Sequence, residues 1–340
     1  MAGFSTRSTL HRRISTFVEW IATEPATEDA IRRQAEEVRS RLTGKASSDG
    51  LTVRSTPNGG SFAKRTGLRR HLHGDAEVEG QDVDLPFVIS PKSKDDEDVD
   101  RLLDRFDSYA KASYADTPRE RTKCSVKLNF VASRLSFDLV PMLATDVDDE
   151  QILVRDDGER RRTSVQKNIE FVAARTRSSN EIAGRVKFNE CVRLTKWWRE
   201  FRLATADTLT DVPSFVVELL AAKAYDSLSV KSTYAETLAA WFAFLADLVA
   251  KRAPVTFTDF TRPPPPSPGV WSVLDPVNPK NNAVGKWAGY QIDELADWFA
   301  AGRDAWGRTL AADLRSDDAA SLAALVDVFG NPIRHHAGDK

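Results

Sequence analysis

The chain has 340 residues, enough to bury a sizeable core in two domains or one bilobal unit. With 48 Lys and Arg against 50 Asp and Glu, its net charge of -2 excludes a uniformly basic surface of the kind that grips long nucleic acid, and small anionic substrates are the simpler expectation. Two cysteines exclude a four-cysteine zinc ribbon; Cys124 and Cys191 lie in apolar periodic segments and are expected as buried, reduced thiols of a cytoplasmic protein with neither a membrane span nor a secretory signal.

At the start of the chain, Leu10, Ile14, Phe17, Val18 and Ile21 recur at helical spacing beside Arg7, Arg12 and Arg13. This pattern predicts an amphipathic helix that stays on the protein rather than a transit peptide. Residues 6–43 form one long helix or a helix pair, with Pro25 and Thr27 marking a restart. Strands are predicted over 52–55, 83–89, 125–131, 135–142 and 151–154. Between the second and third, Val99, Leu102, Leu103, Phe106 and Tyr109 make a helical stripe able to cover one sheet face. Pro86 cannot donate to a sheet ladder and predicts an edge or a bulge. From Ser164 the pattern turns helical, over 165–176, 182–203, 213–226 and 233–251, and again over 290–300 and 319–328. Pro263–Pro266 with Pro268 and Gly269 reads as a stiff surface loop, and His335 and His336 as solvated residues of a frayed tail. The expected division is 1–163 for the N-terminal helix and a sheet domain, and 164–340 for a helical lobe.

Two Asp at alternate positions of a strand point to one face, a condition that Asp82 and Asp84 meet. Asp138, inside Ser136-Phe137-Asp138-Leu139-Val140-Pro141, has apolar neighbours that place it within a strand, where an unpaired carboxylate is costly without a cation nearby. Transfer of a nucleotidyl group relies on two divalent ions about 3.5–4 Å apart, held by acidic oxygens. Three such carboxylates, preceded by a phosphate-holding turn at Gly59-Gly60-Ser61, point to that chemistry rather than to Asp residues that cap strand ends.

In the helical half, Arg185, Asn189, Arg193, Lys196 and Glu200 share a narrow polar stripe, with Phe188, Cys191, Leu194 and Trp198 opposite. The stripe either meets a triphosphate through Lys196 or is the solvated face of an amphipathic helix. In Asp211-Val212-Pro213-Ser214-Phe215, Pro suits the first helical position and Ser214 lies in the turn whose N–H groups attract anions. Phe215 either stacks on a base or belongs to the core.

The ordered set resembles the oligoadenylate-synthetase and cyclic GMP-AMP-synthase-like nucleotidyltransferases, in particular the bacterial CD-NTases of CBASS antiphage systems. It comprises Gly60-Ser61, Asp82/Asp84, Asp138 in Phe-Asp-Leu-Val-Pro, Arg193-Leu-x-Lys196-x-Trp198 and Pro213-Ser214-Phe215-x-x-Glu218-Leu219-Leu220. Leu274-Asp275-Pro276-x-Asn278-Pro279-x-Asn281-Asn282 is similar to the C-terminal segment of oligoadenylate synthetases.

The resemblance implies an α/β plus α fold, a polymerase-β-like sheet domain with an oligoadenylate-synthetase-like C-terminal helical lobe that completes the nucleotide cleft. It implies that Gly60 and Ser61 hold the donor triphosphate, and that Asp82 and Asp84 bind two Mg²⁺ ions, with Mn²⁺ as the substitute. Asp138 would join one ion and help deprotonate the attacking hydroxyl. Lys196 and Ser214 would grip triphosphate oxygens, and Phe215 would stack on the base.

The implied activity is synthesis of a purine-containing cyclic di- or trinucleotide messenger from ATP and/or GTP with release of pyrophosphate. A linear synthase, a transferase acting on RNA or protein, and an inactive nucleotide sensor are the rivals. The implied partners are a cyclic-nucleotide-activated effector and a regulatory or conjugating protein, with no membrane and no obligatory long nucleic acid. The insert between Ser61 and Asp82, with Arg69, Arg70, His71, His73, Asp75, Glu77 and Glu79, departs from the animal enzymes and reads as a mobile charged loop rather than a metal site.

Overall fold

The computed structural model describes residues 8–73, 76–155, 158–183, 185–265 and 271–336. In chain order the elements are α1 (Thr9–Trp20), α2 (Pro25–Ser48), β1 (Thr52–Ser55), α3 (Gly60–Ala63), β2 (Arg70–His73), β3 (Ala76–Glu79), β4 (Gln81–Ser90), α4 (Val99–Ser113), β5 (Arg119–Arg121), β6 (Val126–Phe130), β7 (Leu135–Ala144), β8 (Gln151–Val154) and β9 (Arg160–Thr163). The helical part follows as α5 (Val165–Ala183), α6 (Phe188–Leu203), α7 (Ser214–Leu228), α8 (Tyr234–Ala250), α9 (Gly289–Leu314), α10 (Asp318–Phe329) and α11 (Pro332–His336). They form two compact units: Thr23–Gly67 with Glu79–Glu170, and the described residues of Met1–Ala22, Leu68–Val78 and Phe171–Lys340.

The first unit is a mixed sheet in the order β1-β4-β7-β6-β5, extended through β8 and β9 on β7. Strands β4 and β7 run parallel, and the other pairs are antiparallel. Alternation along the strands decides which face is covered. Val83, Leu85 and Phe87 of β4, Phe137 and Leu139 of β7 and Leu128 of β6 share a core with Val38 and Leu42 of α2 and Leu103 and Phe106 of α4. The Phe87 and Phe106 rings meet edge to face at 5.0 Å. Each such buried side chain contributes about 1.5–3 kcal/mol relative to exposure.

The expected stripe on α4 is borne out at Leu102, Leu103, Phe106 and Tyr109, which are buried; the Val99 side chain lies outside the described residues. Pro86 is not at an edge, because β4 lies between β1 and β7. Pairing with β1 ends at Val88, after a register shift between Val53 and Ser55. Beyond it Pro86 meets Gly59, where a Cβ would come within 2.7 Å of Pro86 Cγ, so the missing donor faces a turn and not a ladder.

The second unit surrounds the aromatic side chains Trp197, Trp198, Trp241, Phe242 and Trp306. Leu10, Ile14 and Phe17 of α1 belong to this core, so the N-terminal helix goes with the helical unit rather than with the sheet, where the division at residue 163 placed it. Arg175 is buried between the Phe171 ring, 3.9 Å from its guanidinium, and the carboxylates of Asp226 and Asp259 at 2.6 and 2.8 Å. Restart at Pro25 is as expected, with Pro in the first turn of α2.

The described residues of the insert after Ser61 include two strands, where a mobile loop was the expectation. Arg70–His73 and Ala76–Glu79 pair as a two-stranded sheet whose described residues up to Val78 belong to the helical unit. His71 Nδ1 lies 2.9 Å from Glu200 Oε1, the Leu72 N–H donates to Glu200 Oε2 at 3.0 Å, and the Arg70 guanidinium covers the Trp20 ring at 4.8 Å. Asp75 lies outside the described residues, as do Arg7, Pro266, Pro268 and Gly269.

His336 is likewise not a frayed residue: it stacks on Trp20 at 3.8 Å and faces Glu77 at 3.3 Å, whereas His335 is exposed as expected. Cys191 is buried, and burial pushes its thiol well above the ordinary value; Cys124 is half-buried, outside any strand. Among the described residues, no helix is long and apolar enough to cross a membrane.

Candidate active site

The face of the sheet opposite the helices collects the predicted carboxylates. Register places Asp84 of β4 beside Asp138 of β7, with Asp82 two residues earlier on the same strand face, beside Ser136. On the far side of β7, Asp138 pairs with Lys127 of β6, which pairs in turn with Glu120 of β5. A row therefore crosses four strands as carboxylate, carboxylate, ammonium, carboxylate. Its members alternate with Val83, Leu85, Phe137, Leu139 and Leu128, whose burial on the helix-covered face fixes the register.

Neighbours distinguish the three aspartates. Asp138 accepts a hydrogen bond from the Ser125 hydroxyl at 2.9 Å, and Asp82 Oδ1 lies 3.1 Å from Lys127 Nζ. Burial holds the Asp138 carboxyl above the usual carboxylate range; Ser125 and Lys127 pull it down and the Asp82 charge adds to the rise. Burial opposes the charge on Lys127, but Asp82 and Asp138 hold its ammonium above the ordinary lysine value.

Asp84 is met by the glycine turn. Gly60 has φ +65°, and a Cβ there would lie 1.6 Å from Asp84 Oδ2, so only glycine lets the backbone approach this carboxylate. Ser61 is the second residue of the single turn of α3, and its carbonyl accepts the Thr66 and Gly67 N–H groups at 2.9 and 3.1 Å. The turn and the carboxylates thus come together within one unit, with the Gly60 backbone against the Asp84 carboxylate.

The helical unit carries the other three predicted residues. Lys196 is 4% exposed, with Nζ 3.5 Å from Oε2 of Glu218, itself 3% exposed. Asn189 is buried as well, and Glu200 is held by β2, so the polar stripe of α6 is covered by protein instead of being a solvated face. The helix begins at Phe188, which leaves Arg185 outside it. Ser214 is the exposed first residue of α7, after Pro213, and the Phe215 ring is half-buried at the margin of the core. The Leu274–Asn282 segment is a structural knot: buried Asp275 accepts from the N–H of Val277 at 2.8 Å and from Asn281 Nδ2 at 3.1 Å.

Sequence reasoning missed Glu120, Ser125 and Lys127. Strand β5 is only three residues long and charged throughout, so no apolar alternation announces it. The signal available was Val126-Lys127-Leu128-Asn129, whose period of two puts Lys127 on the polar face.

Among the described residues no three His, Cys, Asp or Glu side chains converge as a metal cage. A row of carboxylates on adjacent strands still fits Mg²⁺, which keeps waters and shares its coordination between one or two carboxylates and substrate phosphates. Burial of Asp138 among other acids leaves a shortage of positive charge that such an ion would meet.

The sheet unit with its acidic row and the helical unit define the architecture of the cyclic GMP-AMP-synthase-like nucleotidyltransferases. Residues 9–175 match the family described as Second Messenger Oligonucleotide or Dinucleotide Synthetase domain. The chain is 28% identical over 305 residues to the cyclic AMP-AMP-AMP synthase of Escherichia coli strain MS 115-1, covering 86% of this chain and 89% of that protein. The solved structure of E. coli MS115-1 CdnC with ATP superposes with a TM-score of 0.77 at 26% identity, covering 95% of this chain and 98% of that one. The CdnC:HORMA-deltaN complex gives 0.75 at 26% identity, covering 96% and 99%. The chain belongs to the CD-NTases, as a nucleotidyltransferase of the cyclic oligonucleotide synthase class.

Proposed function

We propose that the chain is a Mg²⁺-dependent synthase of a cyclic tri-adenylate messenger in CBASS antiphage signalling. The observation that carries the reading is the acidic row, in which Asp84 and Asp138 are register partners and Gly60 lies against the Asp84 carboxylate. The choice of adenine and of three units follows the similarity to the cyclic AMP-AMP-AMP synthase. ATP is the proposed substrate, with GTP as a second candidate, because the related CdnC structure holds ATP.

Bound Mg²⁺ would neutralise the donor triphosphate and the developing charge on it, with Mn²⁺ as the substitute. Gly60 and Ser61 orient the donor phosphates against Asp82 and Asp84. Asp138, whose burial makes it a stronger base than a solvated carboxylate, takes the proton of the attacking hydroxyl. An oxygen–phosphorus bond forms at the α-phosphate, the bond to the bridging oxygen breaks, and pyrophosphate leaves. Ser214 and Lys196 are proposed to hold triphosphate oxygens and Phe215 to stack on the base. Lys196 shares its charge with Glu218. A HORMA-type protein is the proposed regulatory partner, in view of the complex formed by CdnC.

Labelled ATP with Mg²⁺ and purified protein, alone and with a HORMA partner, tests the reading. The expected product resists phosphatase and has the mass of three adenosine monophosphates less three waters. A ladder of phosphatase-sensitive lengths would show a linear synthase, and an inert mixture under every metal and pH tried would favour a nucleotide sensor.

A further inference from the structure

The acidic row contains one cation, Lys127, which none of the roles above employs. It stands on β6 between Asp138 and Glu120, and its side chain reaches past its own register partner to Asp82, on the second strand over. Adjacent strands are about 4.8 Å apart, so the reach spans nearly the full length of a lysine. The side chain of Lys127 is 26% exposed and that of Asp82 is 55% exposed. The contact thus lies where solvent and ions have access. An ammonium on a flexible four-carbon stem can leave such a contact without disturbing the sheet. Asp138 is held by Ser125 and Asp84 lies against the Gly60 turn, which leaves Asp82 as the carboxylate whose place is taken by a mobile charge.

We propose that Lys127 is an intrinsic counter-cation of the acidic face that competes with a divalent ion for Asp82, so that this lysine weakens the enzyme's metal affinity in the nucleotide-free state. The inference rests on Asp82, Asp84 and Asp138 being the cation-binding residues. With Lys127 on Asp82 the row is partly neutralised before any metal arrives, and a divalent ion must displace an ammonium as well as shed water. Substituting methionine retains the length of the stem and removes the charge.

The test reads Mn²⁺ binding directly, by electron paramagnetic resonance and calorimetry, with and without a non-hydrolysable ATP analogue. Lys127→Met should tighten Mn²⁺ binding several-fold without nucleotide, Lys127→Arg should leave it close to wild type, and Lys123→Met, at an exposed lysine in the loop before β6, should leave it unchanged. Melting curves establish that each variant is folded. Equal or weaker binding by Lys127→Met, with binding still abolished by Asp84→Asn, overturns the role of Lys127 alone. Binding that survives Asp84→Asn, or a wild type that binds no Mn²⁺ even with the analogue, overturns the metal reading of the acidic face and this proposal with it. Equal tightening by Lys123→Met would reduce the effect to net charge and overturn the competition.

Discussion

At Asp138, stability and catalysis pull in opposite directions. Folding raises the pKa of this carboxyl, with burial as the main cause, so the native state prefers the protonated form. That preference stabilises the metal-free protein below the ordinary carboxylate pKa and is lost as pH rises through the raised value. Near neutral pH the ionised group is held at a cost. Asp138→Asn removes the cost, and the expected outcome is a higher melting temperature than wild type at pH 7 without metal, a gap that closes in acid, together with loss of product. Asp84→Asn should also abolish product with the fold intact. Near-normal turnover by either variant, measured with labelled ATP, would remove the acidic row from the mechanism.

The three aspartates were legible because a period of two and apolar neighbours both act on them. Lys127 was legible only as a polar-face residue of a short strand and Ser125 not at all: what gives Lys127 its place is contact with Asp82, remote in the chain, and Ser125 matters through a side-chain bond to Asp138 that strand alternation does not encode. Lys196 was legible as a polar residue of α6, but its burial against Glu218 was not, since the partner comes from another helix.

Among the elements, the loop between α6 and α7 is tied down at a single carboxylate. Glu294 of α9 accepts the N–H groups of Asp207, Thr208 and Leu209 at 2.9, 2.9 and 2.7 Å, and the Thr208 hydroxyl as well. Further along, Arg199 donates to the Val212 carbonyl, just ahead of Ser214 and Phe215. Burial disfavours the charge on Glu294, but the Thr208 hydroxyl and the three amides outweigh it and lower the pKa. The contribution is therefore present above the ordinary carboxylate range and lost as pH falls through the lowered value.

Glu294→Ala should lower stability by about 0.5–1.5 kcal/mol, the net scale of hydrogen bonds whose donors water can largely reach once the carboxylate is gone, and raise the KM for ATP more than it lowers kcat. Unchanged KM in a protein with a lower melting temperature would confine Glu294 to stability. The loop itself carried no helical or strand pattern, so this restraint was invisible in the sequence. The segment after Ser61 reads as a mobile loop in the sequence for a related reason: Arg, His and Glu dominate it, and the contacts of its strands are with Glu200, Trp20 and His336, all remote in the chain. Strands β1 and β8 were found at their full lengths, whereas α9 extends from Gly289 to Leu314, well past the predicted end at residue 300, because its later turns contribute Ala305 and Trp306 to the core.

At the scale of the whole molecule, charge argues against a polymer as substrate or activator. The net charge is -2, and the densest arginine run, Arg160-Arg161-Arg162 on β9, is matched by glutamates: Arg160 with Glu97 at 3.1 Å, Arg161 with Glu159 at 2.7 Å and Arg162 with Glu150 at 2.5 Å. A basic track contacting six to ten phosphates loses roughly 10³–10⁵ in affinity between 50 and 200 mM salt. Turnover with ATP should therefore survive nuclease treatment of the purified protein, need no added duplex DNA or RNA, and fall only shallowly over that salt range. Screening of one triphosphate by salt gives a small slope, whereas release of many condensed counterions gives a steep one. A steep slope, or activity restored only by adding nucleic acid back, would show that a polymer binds a surface whose charges these pairings leave available.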